Sequence, residues 1–298
     1  MICDRDIQDA IVVGAGPAGL TAAIYLGRFR RHCIVLEDGH SRARWIPTSH
    51  NIPGFTAGVG GAEFLRNLRL QAVKYGAEIR HNHVSGLSLQ KGIFSLRTDA
   101  GTLRSRYVLL ATGVRDHLPS IGGASEAVLR SLLRFCPICD AFEAIDKRIA
   151  VISDGALGER EGKFLKHYSN QITLLRLGGG GGADGAETPV TDGIERISIQ
   201  LSDVRIHEDR VTVSHAQGER QFDVVYLALG CSAQNHLARS LHAGFDEQGA
   251  LKVNAHQETS VPRLYAAGDV VRGLNQVVVA AAESAIAATD IHNKLRGK

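Results

Sequence analysis

The sequence predicts an α/β protein of two Rossmann-like three-layer domains, the first of them discontinuous in sequence. Three observations lead there: a glycine-rich turn between a strand and a helix near the start, an imperfect second copy of that pattern from residue 148, and a late return to a strand and a long Ala-rich helix. The expected limits are 1–115 with 245–298 for the first domain and 116–244 for the inserted one. A chain of 298 residues, 44% hydrophobic and 22% charged, is long enough to bury two cores.

The first element is the stretch "DAIVVGAGPAGLTAAIYLGRFRRHCIVLED", residues 9 to 38, which reads as strand, turn, amphipathic helix and strand, one β-α-β unit in about thirty residues. Short alternating segments follow over 77–112, separated by turn residues, and predict a β-meander that feeds back into a buried strand. A break falls at "RDHLPSIGG", residues 115 to 123. From 148 the pattern restarts: strand, near-glycine turn, a helix over roughly 156–169, and the strand "ITLLRL". The loop after it, "GGGGGADGAETPVTDG", is too glycine-rich to predict a single conformation. Hairpin-like strands are expected over about 203–229, and the tail from 245 is expected to complete the first domain.

In the first turn Gly14, Gly16 and Gly19 form G-x-G-x-x-G. The glycines permit a tight turn and let backbone N–H groups at a helix N-terminus approach a pyrophosphate. The motif alone is weak. Its context strengthens it, because it follows a strand, opens a helix and is answered by Glu37 at the end of the next strand, placed to accept hydrogen bonds from a ribose.

Of the five cysteines, Cys3, Cys33 and Cys231 have no partner at motif spacing and are expected to be plain thiols. Cys136 and Cys139 form a C-x-x-C, which in a reducing cytoplasm points to redox chemistry or a metal. A zinc site would need a second pair or nearby histidines, and none is close in sequence, so redox chemistry is the expectation and no metal is.

These motifs together resemble the low-molecular-weight thioredoxin reductases among the flavoprotein disulfide reductases. Beside the first turn they include "NIPGF" at 51–55, "LLATGV" at 109–114, "CPICD" at 136–140 and "YAAGDV" at 265–270, in that family's order and spacing over nearly the whole chain. The resemblance implies FAD, with Glu37 on the adenosine ribose, Asn51 near the flavin, Thr112 and Gly113 beside the closing strand, and Gly268 and Asp269 at the ribitol. Gln276 and Val277 match the segment whose backbone N–H groups face the flavin O2, where a helix N-terminus stabilises the charge that reduced flavin develops. It also implies that Cys139 sits against the flavin, that Cys136 attacks a partner disulfide and that Asp140 is the acid/base for the thiol proton. The chemistry needs such a group, because only a thiolate attacks sulfur and the leaving thiolate must be reprotonated; a solvated helix-start acid is the plainer alternative for Asp140. A thioredoxin-like protein or a small disulfide or dithiol is the implied partner, and a homodimer the implied assembly.

Two departures matter. Trp45, with Arg42 and Arg44, stands where the family has a Gly-rich stretch near the flavin edge, so these residues are candidates to contact a second flavin or a partner, with simple packing the alternative for Trp45. The second turn, "IAVISDGALGEREG" at 149–162, has Ser153 where the first glycine belongs and Asp154 beside it, and "RLGGGGG" after the next strand offers only Arg176 where the family has two arginines for the NADPH 2'-phosphate. NADPH binding is therefore doubtful, and the leading expectation is a pyridine-nucleotide-independent branch, diflavin-linked or ferredoxin-linked, with a second FAD as one option. A dithiol oxidase drained by oxygen, an NADPH-dependent thioredoxin reductase and a flavin-bound redox sensor remain open beside it.

Charge and hydropathy exclude other classes. The net charge of +3 is spread along the chain, so nucleic acid has no electrostatic footprint. The charged start "MICDRDIQDA" and Glu283 within the Ala-rich run at 277–288 indicate neither export nor membrane spanning, and a cytoplasmic protein is expected.

Overall fold

The computed structural model describes residues 7–178, 192–271 and 273–297. The chain divides into two compact units: residues 1–44, 61–115 and 233–298 form one, residues 45–60 and 116–232 the other. The return therefore comes earlier than residue 245, because Leu237 and Ala238 join the first unit's core with Leu251. Residues 45–60 belong with the second unit rather than the first.

The first unit opens with β1 (Ile7–Val13), α1 (Pro17–Arg28) and β2 (Cys33–Glu37). Helix α2 (Gly61–Lys74) leads to β3 (Glu78–His81), and the expected meander is β4 (Val84–Gln90), β5 (Ile93–Thr98) and β6 (Gly101–Leu110). Strand β7 (Val114–Asp116) carries the chain out of this unit.

The second unit contains α3 (Ala124–Leu129), β8 (Leu133–Arg134), the single turn α4 (Pro137–Asp140), β9 (Ile149–Ser153), α5 (Ala156–Leu165) and β10 (Ile172–Leu177). Helix α5 ends four residues before the expected 169, its carboxyl end closed by Lys166 N–H donating to Gly162 O at 3.2 Å. The glycine-rich loop lies outside the described residues over 179–191. Then come β11 (Glu195–Ile199), an antiparallel sheet of β12 (Val204–Ile206), β13 (Val211–His215) and β14 (Gly218–Phe222), strand β15 (Val224–Ala228), and β16 (Cys231–Ala233), the partner of β7. Back in the first unit, α6 (His236–Arg239), β17 (Leu264–Ala266) and the long α7 (Val277–Leu295) complete the fold.

Each unit is three-layered because successive side chains of a strand face opposite ways. In β1, Ala10 and Val12 join a core with α1 and α7, while Ile11 and Val13 join a second core with Phe94 and Leu96. In β9, Ile149 and Val151 face one core and Ala150 and Ile152 the other. Strands buried on both faces are what a parallel sheet between two layers requires. The sheet orders are β3-β2-β1-β6-β5-β4, with β17 also on β6, and β11-β10-β9-β15-β8. Among the described residues no helix is long and apolar enough to cross a membrane.

Candidate active site

The first unit carries a nucleotide cradle at the carboxyl ends of β1, β2 and β6, where a chain that moves from one side of β1 to the other leaves a crevice. A cleft of about 230 Å³ opens there, lined among others by Gly14, Glu37, Asp38, Asn82, His83 and Thr112. Gly14 has φ 108°, and a Cβ on it would stand 2.2 Å from Ala111 O. A Cβ on Gly19 would stand 1.8 Å from Gly14 O, so the third glycine lets α1 pack on its own turn. Gly16 is different, since its added Cβ would meet only Ser41 Oγ, at 3.3 Å. That hydroxyl is buried without a hydrogen-bond partner, and α1 begins at Pro17 with no side chain capping its N-terminus. An uncapped helix start beside an orphaned hydroxyl suits the pyrophosphate of a dinucleotide such as FAD.

The other cradle residues are held by their neighbours. Glu37 accepts from Arg69 Nη2, which fixes the carboxylate at the strand end. The Thr112 hydroxyl donates to Gln234 O at 2.6 Å, and Gly113 O accepts from Gln234 N–H at 2.9 Å with Gly113 at φ 65°. Asp269 accepts from Arg42 Nη1 at 3.1 Å, so the arginine considered for a second flavin is engaged with the expected ribitol residue. Gly268 N–H donates to Glu283 Oε2 at 2.7 Å, and burial raises the Glu283 carboxyl above its ordinary range. Gln276 is the N-cap of α7 and Val277 its first residue. Arg44 donates to Gly39 O at 3.0 Å, and Trp45 is 40% exposed. Asn51 lies in the second unit's 45–60 segment, accepting from Ser49 Oγ at 2.9 Å.

The second unit carries the cysteine pair. Cys136 and Cys139 form a disulfide across α4, with Cα atoms 5.3 Å apart, and Cys139 N–H donates to Cys136 O at 2.9 Å. Cys136 caps the turn and Pro137 opens it with a φ already helical. Asp140 ends the turn, and its carboxylate is not a freely solvated one. Tyr226 O–H donates to Asp140 Oδ1 at 2.9 Å, and Arg134 Nη1 lies 3.7 Å from the same oxygen and donates to the Asp140 main-chain carbonyl at 2.6 Å. Burial pushes Asp140 up to about 6, against the opposing pull of Arg134 and Tyr226. A carboxyl poised there can take and give a proton near neutral pH.

A family model described as pyridine nucleotide-disulphide oxidoreductase matches residues 8–284. The chain belongs to that family. Its relatives include the thioredoxin reductase of Mycolicibacterium smegmatis, 27% identical over 305 residues with 97% of this chain and 96% of the relative covered. The thioredoxin reductase of Treponema pallidum is 29% identical, with 94% of each covered. The crystal structure of thioredoxin reductase from Streptococcus pyogenes superposes with a TM-score of 0.87 at 19% identity, over 99% of this chain and 100% of that one. The protein is a flavoprotein disulfide oxidoreductase, thioredoxin-reductase-like in its two Rossmann-like units and its C-x-x-C.

The second unit repeats the strand–turn–helix pattern after β9. The Ser153 side chain is turned inward, 1% exposed, and its Oγ accepts from the N–H groups of Gly155 and Gly158, both at 3.1 Å, while donating to Gly155 O at 3.0 Å. Two N–H groups at the start of α5 are thus occupied by the chain itself. Asp154 is exposed at the tip. Arg176 donates to Glu159 Oε1 at 2.7 Å, and Arg196 holds the same carboxylate at 2.7 Å, which keeps Glu159 at about 2.

Sequence reading missed Ser41, Arg134 and Tyr226. An arginine inside the apolar run "LLRF" was the one available signal, since a buried cation needs a stated partner. Among the described residues no cluster of His, Cys, Asp and Glu is arranged to hold a metal.

Proposed function

We propose that this chain reduces the disulfide of a thioredoxin-like protein, or of a small disulfide, through its Cys136–Cys139 pair, as a homodimer with one FAD per chain. The observation that carries the reading is the disulfide at α4 ending on Asp140. When bound, FAD supplies the two electrons that return the pair to dithiol. Cys136 as thiolate attacks the partner disulfide, Asp140 gives the proton that the leaving thiolate needs, and Cys139 resolves the mixed disulfide. Ile138, between the two cysteines and 56% exposed, and Phe142, two residues after Asp140 and 72% exposed, favour a protein partner with an apolar rim around its own disulfide. NADPH as donor is supported by relatives named thioredoxin reductase within a family described by its pyridine nucleotide chemistry.

A second reading, in which the electrons come from another source such as a second FAD, a ferredoxin or substrate dithiols, is favoured by one observation: the inward Ser153 hydroxyl on two N–H groups of the nucleotide turn. The second-FAD form of that reading parts from the rest on a simple count. Flavin released from denatured protein is expected at about one FAD per chain; a ratio near two supports the second-flavin form. On mixing with oxidised thioredoxin after chemical reduction, Cys139→Ser is expected to trap a mixed disulfide through Cys136, and Cys136→Ser is not. Undiminished disulfide reduction by both variants would overturn the redox-pair assignment.

A further inference from the structure

Arg134 sits in β8 with 6% exposure, a cation inside the protein, and its Nη1 faces Asp140 and Tyr226. Its Nε donates to Ser131 O at 3.1 Å, which fixes the guanidinium plane. Nη1 reaches the Asp140 carbonyl at 2.6 Å, the Tyr226 hydroxyl at 3.4 Å and Asp140 Oδ1 at 3.7 Å. Tyr226 closes the ring by donating to that same Oδ1 at 2.9 Å. The side chain of Asp140 keeps 29% of its surface exposed, and both contacts fall on one of its two oxygens.

We propose that Arg134 and Tyr226 are positioning residues for thiol–disulfide exchange: they hold Asp140 by its carbonyl and by Oδ1, so that Oδ2 passes protons from one fixed orientation. The proposal rests on the reading of Cys136 and Cys139 as the redox pair. In the step concerned, Cys136 begins as thiolate and Asp140 carries the proton. The Cys136–partner sulfur bond forms, the partner S–S bond breaks, and the first leaving sulfur takes the Asp140 proton. Cys139 thiol then gives its proton to Asp140 and attacks Cys136, re-forming the intrachain disulfide. The second partner sulfur leaves with that proton. Two electrons and two protons have moved, and Asp140 is left as carboxylate.

Three groups bear on the Asp140 carboxyl electrostatically: Arg134 from β8 and Tyr226 from β15 stabilise the carboxylate, while Glu143 from the following turn opposes it. Helix α5 packs on α4 and carries Glu159, Arg160, Glu161 and Lys163, none of which is hydrogen-bonded to Asp140. Removing the Tyr226 hydroxyl therefore raises the Asp140 carboxyl further above its present value of about 6, because a donor to the charged form is lost.

The test uses the flavin-loaded protein, reduced anaerobically and freed of reductant, in single turnover with two probes. Hydroxyethyl disulfide releases a basic aliphatic thiolate that needs the proton; dithiobisnitrobenzoate releases an acidic aromatic one that does not. Asp140→Asn should slow the aliphatic probe by about 100-fold, within the usual range for a general acid, and slow release of the first aromatic thiolate, the step before Cys139 gives up its proton and the one compared for this probe in every variant, by no more than about twofold. Tyr226→Phe, which keeps the ring packed, should slow the aliphatic probe by about 3- to 10-fold and move its pH limb upward by about half to one unit. Arg134→Met should do at least as much, with Arg134→Lys restoring part of the rate. Equal slowing of both probes in the Tyr226 and Arg134 variants, or no slowing, overturns the proposal and leaves these residues structural. If Asp140→Asn slows neither probe, the proton donor lies elsewhere and the proposal falls with it. If the unaltered dithiol reduces neither probe, it is the redox-pair reading that fails.

Discussion

Helices α1 and α5 start from turns of one design and present different surfaces. Both follow a buried strand with a parallel neighbour on each side, and both need a glycine at the third position. A Cβ on Gly19 would overlap Gly14 O, and one on Gly158 would stand 2.3 Å from Ser153 Cβ. The difference lies at the first position. Gly14 at φ 108° puts no side chain into its turn, and Ser41 Oγ stands unpartnered beside Gly16. Ser153 instead fills its turn with its own hydroxyl, bonded to the N–H groups of Gly155 and Gly158. The strand–turn–helix shape is common to both, because packing of the helix on the strand depends on the third glycine, while the residue at the first position sets which groups face the mouth of the turn.

The strongest way to break the comparison is at Gly19. Gly19→Ala places a methyl group against backbone that cannot yield, so a loss of about 3 kcal/mol or more in unfolding free energy is expected, with purified protein nearly free of FAD. Denaturant titration and flavin absorbance check both. A Gly19→Ala protein with full flavin and unchanged midpoint would show that α1 can move off its turn.

A smaller effect sharpens it. Gly158→Ala should cost about 1–3 kcal/mol in the native background, where its methyl meets Ser153 Cβ and Oγ, and less than about 1 kcal/mol when combined with Ser153→Gly. Additive costs in that double-mutant cycle would mean that Leu174, the other neighbour at 2.9 Å, rather than the serine, sets the space at Gly158.

Features confined to a few consecutive residues were legible in the sequence. The first glycine turn, the cysteine pair and Asp140 each declare themselves within six residues or fewer. Ser153 was legible as a departure, while the direction of its hydroxyl was not, since a serine at a turn can face solvent or backbone equally well. Arg176 read as the remaining phosphate contact, yet Glu159, seventeen positions away on α5, accepts its hydrogen bond. The Tyr226 hydroxyl reaches Asp140 across 86 positions, and only the strand order β9-β15-β8 brings them together. Long-range pairs of that kind carry no local pattern. The early return of the chain at 233 was hidden for the same reason: α6 is four residues long, too short for a periodic signal.

The contrast between the two turns is tested most directly by NADPH binding to the flavin-loaded protein, measured by calorimetry with and without Ser153→Gly and Asp154→Gly together. Freed N–H groups and one fewer negative charge at the turn should tighten binding by at least about tenfold over the unaltered chain, a change of about 1.4 kcal/mol. Equal, micromolar or tighter affinity in both proteins would contradict a closed second turn, and would show that NADPH binds without the two N–H groups that Ser153 occupies.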